Sequence, residues 1–166
     1  FHKPKNYDPL LHHSRKFNTG AFKFACLVTA PAVLLHELGH KFAALSFGLQ
    51  AEFHAAYVWL GIGILLKLMN TGFIFFVPAY VSFNAANIAP LHLSLIAFAG
   101  PFVNLVLWLF AMFALKKKLF DKKYNPFLFL TSRINMFLFF FNMLPFGMFD
   151  GYKVFSGLAQ HFMSII

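Results

Sequence analysis

The sequence predicts an all-α membrane protein with a small re-entrant β element. Hydrophobic residues make up 60% of the 166 residues and charged residues only 11%, whereas soluble domains carry about 25% charged residues. From Leu68 to Leu115 there is no Asp, Glu, Lys or Arg. That stretch is more than twice the ~20 residues that a helix needs to cross a bilayer. Length and composition fit one membrane domain.

The beginning of the chain divides into a polar part and a first helix. Residues 1–20 are polar and basic, and we expect them to lie outside the lipid, whereas residues 21–166 form the membrane core. The apolar run from Ala21 to Leu49 predicts a long helix, and Gly48 is a plausible stop signal. The chain starts at Phe1, which leaves open whether its beginning is truncated. No signal peptide is evident, because the basic beginning is followed by an apolar segment that contains candidate functional residues rather than a cleavage site.

The region from Ala51 to Asn84 contains the predicted β element. "AEFHAAYV" has the composition of a strand, "LGIGILLKLM" is too short to span comfortably, and "FIFFVPAYVSF" is rich in aromatic and β-branched residues. We interpret the region as a strand, a short helical piece and a second strand. Such re-entrant backbone is tolerated at membrane depth where protein covers it or water reaches it. A pair of tight transmembrane helices is the alternative.

Three helices are predicted in the second half of the chain. Leu91–Leu115 reads as a spanning helix that is interrupted at Gly100 and Pro101, and the polar loop "KKKLFDKK" follows it. Phe127–Leu144 reads as another span, which "PFGMFDG" terminates. Tyr152–Ile166 has mixed faces and predicts a shorter helix.

The stretch "LLHELGHKF" places polar groups inside the first apolar helix. His36 and His40 are four residues apart and therefore share one face of a helix, with Glu37 beside them. In the HExxH pattern, two such histidines bind zinc and the glutamate acts as general base. The alternative is a helix end whose polar side chains face water. A charged residue within a membrane segment costs about 2.5–3.5 kcal/mol, which argues against an idle Glu37.

A zinc site of this type needs a third protein ligand and an open fourth position. Besides Glu37, the chain has four acids: Asp8, Glu52, Asp121 and Asp150. Asp8 and Asp121 lie in polar, basic segments, and Glu52 follows His40 so soon that the chain would have to reverse at once. Asp150 stands between apolar residues directly after a predicted span, so its helix could bring it beside the two histidines. His54 and His92 remain as competitors.

Three motifs together carry a family resemblance. "HELGH" at 36–40, "AGPFVN" at 99–104 and "NMLPFGMFDG" at 142–151 occur in this order. They resemble the motifs of the site-2 protease family of intramembrane zinc metalloproteases, and the resemblance covers roughly residues 21–155. It implies a three-helix zinc-protease core, with residues 21–166 as the intramembrane metalloprotease domain.

The resemblance also implies the roles of individual residues. It implies that Zn²⁺ is held by His36, His40 and Asp150, that Glu37 is the general base, and that Asn142 helps to hold the substrate backbone. The segment 73–83 resembles the membrane-embedded strand of the family, which could pair with an unwound substrate by strand addition. The resemblance assigns no role to Asn104, although the adjacent "AGP" turn suggests close helix packing.

The implied activity is hydrolysis of peptide bonds within or near transmembrane segments of substrate proteins. The implied location is the cell membrane, as a multi-pass integral protein whose partners are such substrates and the lipid bilayer. The chain departs from the family because members usually have another membrane helix before the zinc-binding one, and residues 1–20 are too polar for it. No PDZ or CBS module fits in the remaining length. The chain thus looks like a minimal or truncated core.

Charge distribution bears on topology and on partners. Residues 1–23 and 116–123 are strongly basic, so the positive-inside rule places both in the cytoplasm and the zinc motif nearer the opposite face. The family resemblance instead suggests a site nearer the cytoplasm, and the two indications disagree. The net charge of +9 favours contact with anionic lipid over nucleic acid, because the basic residues flank spans and no nucleic-acid motif accompanies them.

Three other functions compete with this interpretation. A different membrane zinc protease could use a distant glutamate as third ligand, for which only Glu52 is available. A membrane metal-ion transporter needs polar groups along a path through several helices, and the uncharged stretch provides almost none. A catalytically inactive homologue would lack a catalytic group, whereas all four expected positions are filled.

Overall fold

The protein is mainly helical with a small antiparallel sheet, as predicted. A computed structural model describes residues 19–58, 61–62, 65, 69, 79–83, 88–147 and 149–165. Its helices are α1 (Thr19–Ser46), α2 (Pro90–Lys117), α3 (Asn125–Asn142) and α4 (Asp150–Met163), with a 3₁₀ turn at Lys122–Tyr124. Strands β1 (Ala51–Ala55) and β2 (Ala79–Phe83) form a two-stranded sheet.

The end of α1 directs the chain into the sheet. Gly48 adopts a φ of 75°, the left-handed conformation that glycine adopts without steric cost. Its N–H donates to the carbonyl of Leu45 at 2.9 Å, and the N–H of Leu49 donates to Ala44 at 3.1 Å. This pair of bonds is a Schellman motif, which satisfies the last carbonyls of the helix. The predicted stop signal at Gly48 is therefore confirmed.

The two strands pair in one antiparallel register. Ala51 lies opposite Phe83, and Ala55 lies opposite Ala79. The first predicted strand is confirmed over its first five residues, and the second is confirmed at its end. The rest of the second predicted strand, 73–78, lies outside the described residues, as does most of the predicted helical piece "LGIGILLKLM".

Helix α2 is the centre of the molecule, because it packs against α1, α3 and α4. The predicted interruption at Gly100 and Pro101 is wrong, since α2 runs through both residues without a break. A proline removes only its own N–H from the hydrogen-bond ladder, and neighbouring helices hold the remaining turns in place. Small buried residues along α2 allow this contact: Ala97, Gly100, Ala111 and Ala114.

Among the described residues, two helices are long and apolar enough to cross a membrane, namely α1 and α2. Length and composition alone are weak evidence for a membrane protein, because the buried core helix of a soluble protein passes the same test. The predicted span Phe127–Leu144 corresponds to helix α3. Unlike α1 and α2, α3 is not among the helices that are long and apolar enough to cross a membrane.

Candidate metal centre

Helix α1 presents the two motif histidines to the interior. The side chains of His36 and His40 are buried, with residue exposures of 5% and 8%. They belong to a buried stripe that repeats every four residues: Val28, Ala32, His36, His40 and Ala44. Residues at this spacing share one helix face. The face that packs α1 into the molecule therefore carries both imidazoles.

The carboxylate of Asp150 reaches the histidines from the first residue of α4. Gly151 allows this approach, because a Cβ at that position would collide with the carbonyls of Met143 and Leu144. Asp150 Oδ2 lies 3.2 Å from Nε2 of His36 and 3.3 Å from Nε2 of His40. The two Nε2 atoms are 3.2 Å apart. Within the described part of the chain, these three side chains form the group that could hold a metal ion.

The other nitrogen of each imidazole is held by an oxygen of α2. His36 Nδ1 lies 2.6 Å from Asn104 Oδ1, and His40 Nδ1 lies 2.8 Å from the carbonyl oxygen of Ile96. These oxygens can only accept hydrogen bonds, so a neutral imidazole at either position carries its proton on Nδ1. The lone pairs of both Nε2 atoms are therefore left for a metal, which is the usual arrangement around zinc-binding histidines.

The size of the site fits a zinc ion. With each ligand atom about 2.0–2.1 Å from a tetrahedral zinc, neighbouring ligand atoms lie about 3.3 Å apart, close to the three separations observed here. Two nitrogen lone pairs and a carboxylate also repel one another unless a cation lies between them. Gly100 keeps that space open, because a Cβ there would contact Nε2 of both His36 and His40.

We expect the substitution Gly100→Ala to prevent zinc binding by filling this space. The methyl group would lie against both ligand nitrogens, and we expect zinc affinity to fall by more than the 10–100-fold (about 1–3 kcal/mol) typical of changes around a metal site. Chelator competition measures the affinity. Gly61→Ala is the matched control, because a Cβ at Gly61 has no neighbour within 4 Å among the described residues. Native affinity in Gly100→Ala would mean that the metal lies elsewhere.

Asp150 offers the group its carboxylate. The side chain is only 19% exposed, and its Oδ2 faces the Nε2 atoms of both histidines. A carboxylate in this position is the anionic ligand that would complete a site with two imidazoles.

Glu37 lies next to His36 on α1 and outside the group of three. It is partly buried and interacts electrostatically with His36, His40 and Asp150. No hydrogen bond to another described residue fixes its carboxyl group. Glu37 is thus near the metal group and has a carboxylate free to exchange a proton.

The competing ligand candidates lie apart from this group. The side chain of Glu52 is 77% exposed and lies 3.6 Å from His54. His54 also forms a hydrogen bond with the hydroxyl of Ser82 at 2.7 Å. The ring of His92 stacks on Phe47 with centroids 4.3 Å apart. None of the three joins the metal group found among the described residues.

Three asparagines bear on the predicted site. The amide of Asn142 donates to the carbonyl of Leu138 at 3.0 Å, and no described contact joins it to the metal group, so its substrate role stays a prediction. Asn104 has no assigned role from the resemblance, yet it holds His36 directly. Asn135, which contacts Asn104, was missed. The one available signal was an amide in the middle of an apolar segment.

Two histidines and a glutamate occur in this spacing on one helix, and a carboxylate from another helix completes the group. This arrangement is that of the active site of a metal-dependent hydrolase. The chain is 34% identical over 139 residues to a Methanocaldococcus jannaschii protein named "Putative zinc metalloprotease", covering 83% of this chain and 72% of that relative. The chain belongs to the family of that zinc metalloprotease, and its cofactor is zinc. No protein-family model matches it, and no solved structure matches it significantly.

Proposed function

We propose that the protein is an intramembrane zinc metalloprotease of the site-2 protease type. Its substrates would be membrane proteins that it cleaves within or near their transmembrane segments. The observation that carries this proposal is the convergence of His36, His40 and Asp150 at zinc-ligand spacing, with Glu37 beside them on α1. The name of the archaeal relative supports zinc-dependent peptide hydrolysis.

The outer surface of the helices supports a location in the lipid bilayer. Soluble proteins rarely expose large contiguous apolar patches. On α2, seven large apolar side chains are about half exposed: Leu95, Phe102, Val106, Leu109, Phe110, Met112 and Phe113. A lipid environment would cover such side chains without a protein partner. A multi-pass protein of the cell membrane is consistent with this surface and with the two helices long enough to span.

The chain's own residues have separate roles in the proposed reaction. Zinc held by His36, His40 and Asp150 would supply Lewis-acid polarisation of the scissile carbonyl and acidify water. Glu37 takes a proton from the attacking water and passes it to the leaving amine. Asn142 is proposed to hold the substrate backbone.

The β-sheet offers a way to present the substrate in an extended form. A peptide bond inside a helix is shielded by the turns around it, so the segment must unwind before cleavage. β1 and β2 pair only with each other among the described residues, and an unpaired strand edge can accept an extended peptide. We therefore propose that the unwound substrate adds to this sheet.

Reconstitution into lipid vesicles tests the proposed class of function. The purified chain would be assayed for bound zinc, for cleavage of a co-reconstituted single-span substrate, and for zinc flux across the vesicle membrane. We expect about one zinc per chain, cleavage that a chelator abolishes and zinc restores, and no flux. Flux without cleavage would identify a metal transporter instead. Bound zinc with neither activity would identify a catalytically inactive homologue.

A further inference from the structure

Behind His36 a chain of buried amides connects the metal group to α3. Asn104 and Asn135 are both fully buried, with exposures of 0%. Asn104 Nδ2 donates to Asn135 Oδ1 at 2.8 Å and to the carbonyl of Ala32 at 3.2 Å. Asn135 Nδ2 donates to the carbonyl of Thr131 at 2.8 Å. This chain of hydrogen bonds therefore runs from His36 through the amides of Asn104 and Asn135 to the backbone carbonyl of Thr131.

The direction of every hydrogen bond in this chain follows from its last member. A backbone carbonyl accepts and cannot donate, so Thr131 requires the NH₂ end of the Asn135 amide. The oxygen of Asn135 must then face Asn104, which therefore turns its own NH₂ toward Asn135. The oxygen of Asn104 is left for His36. The carbonyl of Ala32 imposes the same direction, because it also needs a donor.

A reversed Asn104 amide would be incompatible with metal binding at His36. Its NH₂ would face Nδ1 of His36, which would have to become the acceptor and move its proton to Nε2. That N–H would then point at Asp150 Oδ2, which is 3.2 Å away. The lone pair that a metal needs would be lost. The orientation of one amide therefore decides whether His36 can act as a ligand.

We propose that Asn135 is a positioning residue that fixes the metal-binding tautomer of His36 through Asn104. The inference rests on the proposed role of His36 as a zinc ligand and adds a residue that is two hydrogen bonds away from it. Among the described residues, Asn135 forms side-chain hydrogen bonds with Asn104 and Thr131 and none with the metal group. Its effect passes through the orientation of the Asn104 amide.

The test compares two substitutions of Asn135 in the full chain. Asn135→Leu keeps the branched shape and the number of side-chain heavy atoms but has no polar atoms. Only the carbonyl of Ala32 then still orients the Asn104 amide. Asn135→Asp keeps an oxygen facing Asn104 whether or not its carboxyl is ionised. We expect Asn135→Leu to weaken zinc binding about tenfold, at the lower end of the range for residues around a metal site. Asn135→Asp should bind zinc within a factor of about three of native, since it retains the acceptor.

A second measurement separates positioning from general loss of packing. Nitrogen and carbon NMR shifts of labelled histidine, assigned with His36→Ala, report the His36 tautomer in zinc-free protein at alkaline pH. We expect native protein and Asn135→Asp to carry the proton on Nδ1, and Asn135→Leu to populate the Nε2–H form. Ser132→Ala is the control, because Ser132 is a buried polar residue of the same helix. Among the described residues it forms no hydrogen bond with Asn104 or Asn135.

The inference is overturned if Asn135→Leu keeps both the native tautomer and the native zinc affinity. It is also overturned if Ser132→Ala loses as much zinc affinity as Asn135→Leu, because the effect would then be one of packing. Failure of the proposed function is distinguishable from either result: native protein would then bind no zinc or cleave nothing, while the tautomer measurement would still decide the role of Asn135.

Discussion

The Glu37→Gln variant is expected to keep its zinc and to lose nearly all cleavage. Glutamine has the shape of glutamate but cannot take up a proton, so the water loses its general base. General acid–base groups contribute about 10²–10⁴-fold to rate, and we expect kcat to fall by that factor. The metal is retained because Glu37 lies outside the group of His36, His40 and Asp150. Product formation and zinc content, measured on the same sample, check both parts.

A control variant separates the loss of the general base from the general effect of removing a negative charge. Asp121→Asn makes the same acid-to-amide change at an exposed position beside Lys123, and we expect it to cleave as native protein does. If Glu37→Gln cleaves as fast as native protein, Glu37 is not the base. If it loses its zinc, the residue contributes to metal binding and the assignment of roles is wrong.

The Asp150→Ala variant is expected to lose zinc and cleavage together. Asp150 supplies the one carboxylate of the metal group, and its removal leaves two imidazoles that are four residues apart on one helix. Zinc sites in enzymes use three protein ligands, so two should bind weakly. We expect affinity to fall by more than 100-fold, beyond the 10–100-fold effect of changing an outer-shell residue. Chelator competition measures the affinity, and cleavage with excess zinc measures any recovery.

Asp121→Ala is the matched control for this variant, because it removes an aspartate whose side chain is 76% exposed. We expect it to retain native zinc affinity and cleavage. Retention of zinc and full activity by Asp150→Ala would contradict the assignment. The third ligand would then have to be sought at Glu52 or His54, on β1.

The contribution of the sequence to this site differs from residue to residue. The spacing of His36 and His40 is local information, because a four-residue interval on a helix places both on one face. The position of Asp150 depends on how α4 meets α1, and only the scarcity of acids and the family resemblance pointed to it. Its proximity to the histidines in the structure agrees with that prediction, while its role as ligand awaits the experiment above.

The hydrogen-bond partners of the histidines could not be predicted. The acceptor for His40 is the backbone carbonyl of Ile96, a group that every residue type carries, so no sequence pattern identifies it. Asn135 lies on α3, and its contact with Asn104 on α2 depends on the relative rotation of the two helices. Such contacts are tertiary, because they join residues that are far apart in the sequence. No pattern of neighbouring residues therefore predicts them.

The fold shows the same division between local and tertiary information. The end of α1 at Gly48 was predicted because a left-handed cap is a local property of glycine. The break expected at Gly100 and Pro101 did not occur, because helix packing overrides the local preference of both residues. The lack of a side chain at Gly100 instead leaves space beside two histidines of another helix, a tertiary contact that no local pattern predicts.

The most direct test of the central claim is the position of the cut in a single-span substrate. Metal-free protein and substrate would be reconstituted in lipid vesicles, one equivalent of zinc added, and the new peptide termini identified by mass spectrometry. The account predicts termini within or next to the substrate's apolar stretch, and only after zinc is added. Cleavage without zinc, no cleavage with it, or termini confined to the distant soluble parts would contradict an intramembrane zinc protease.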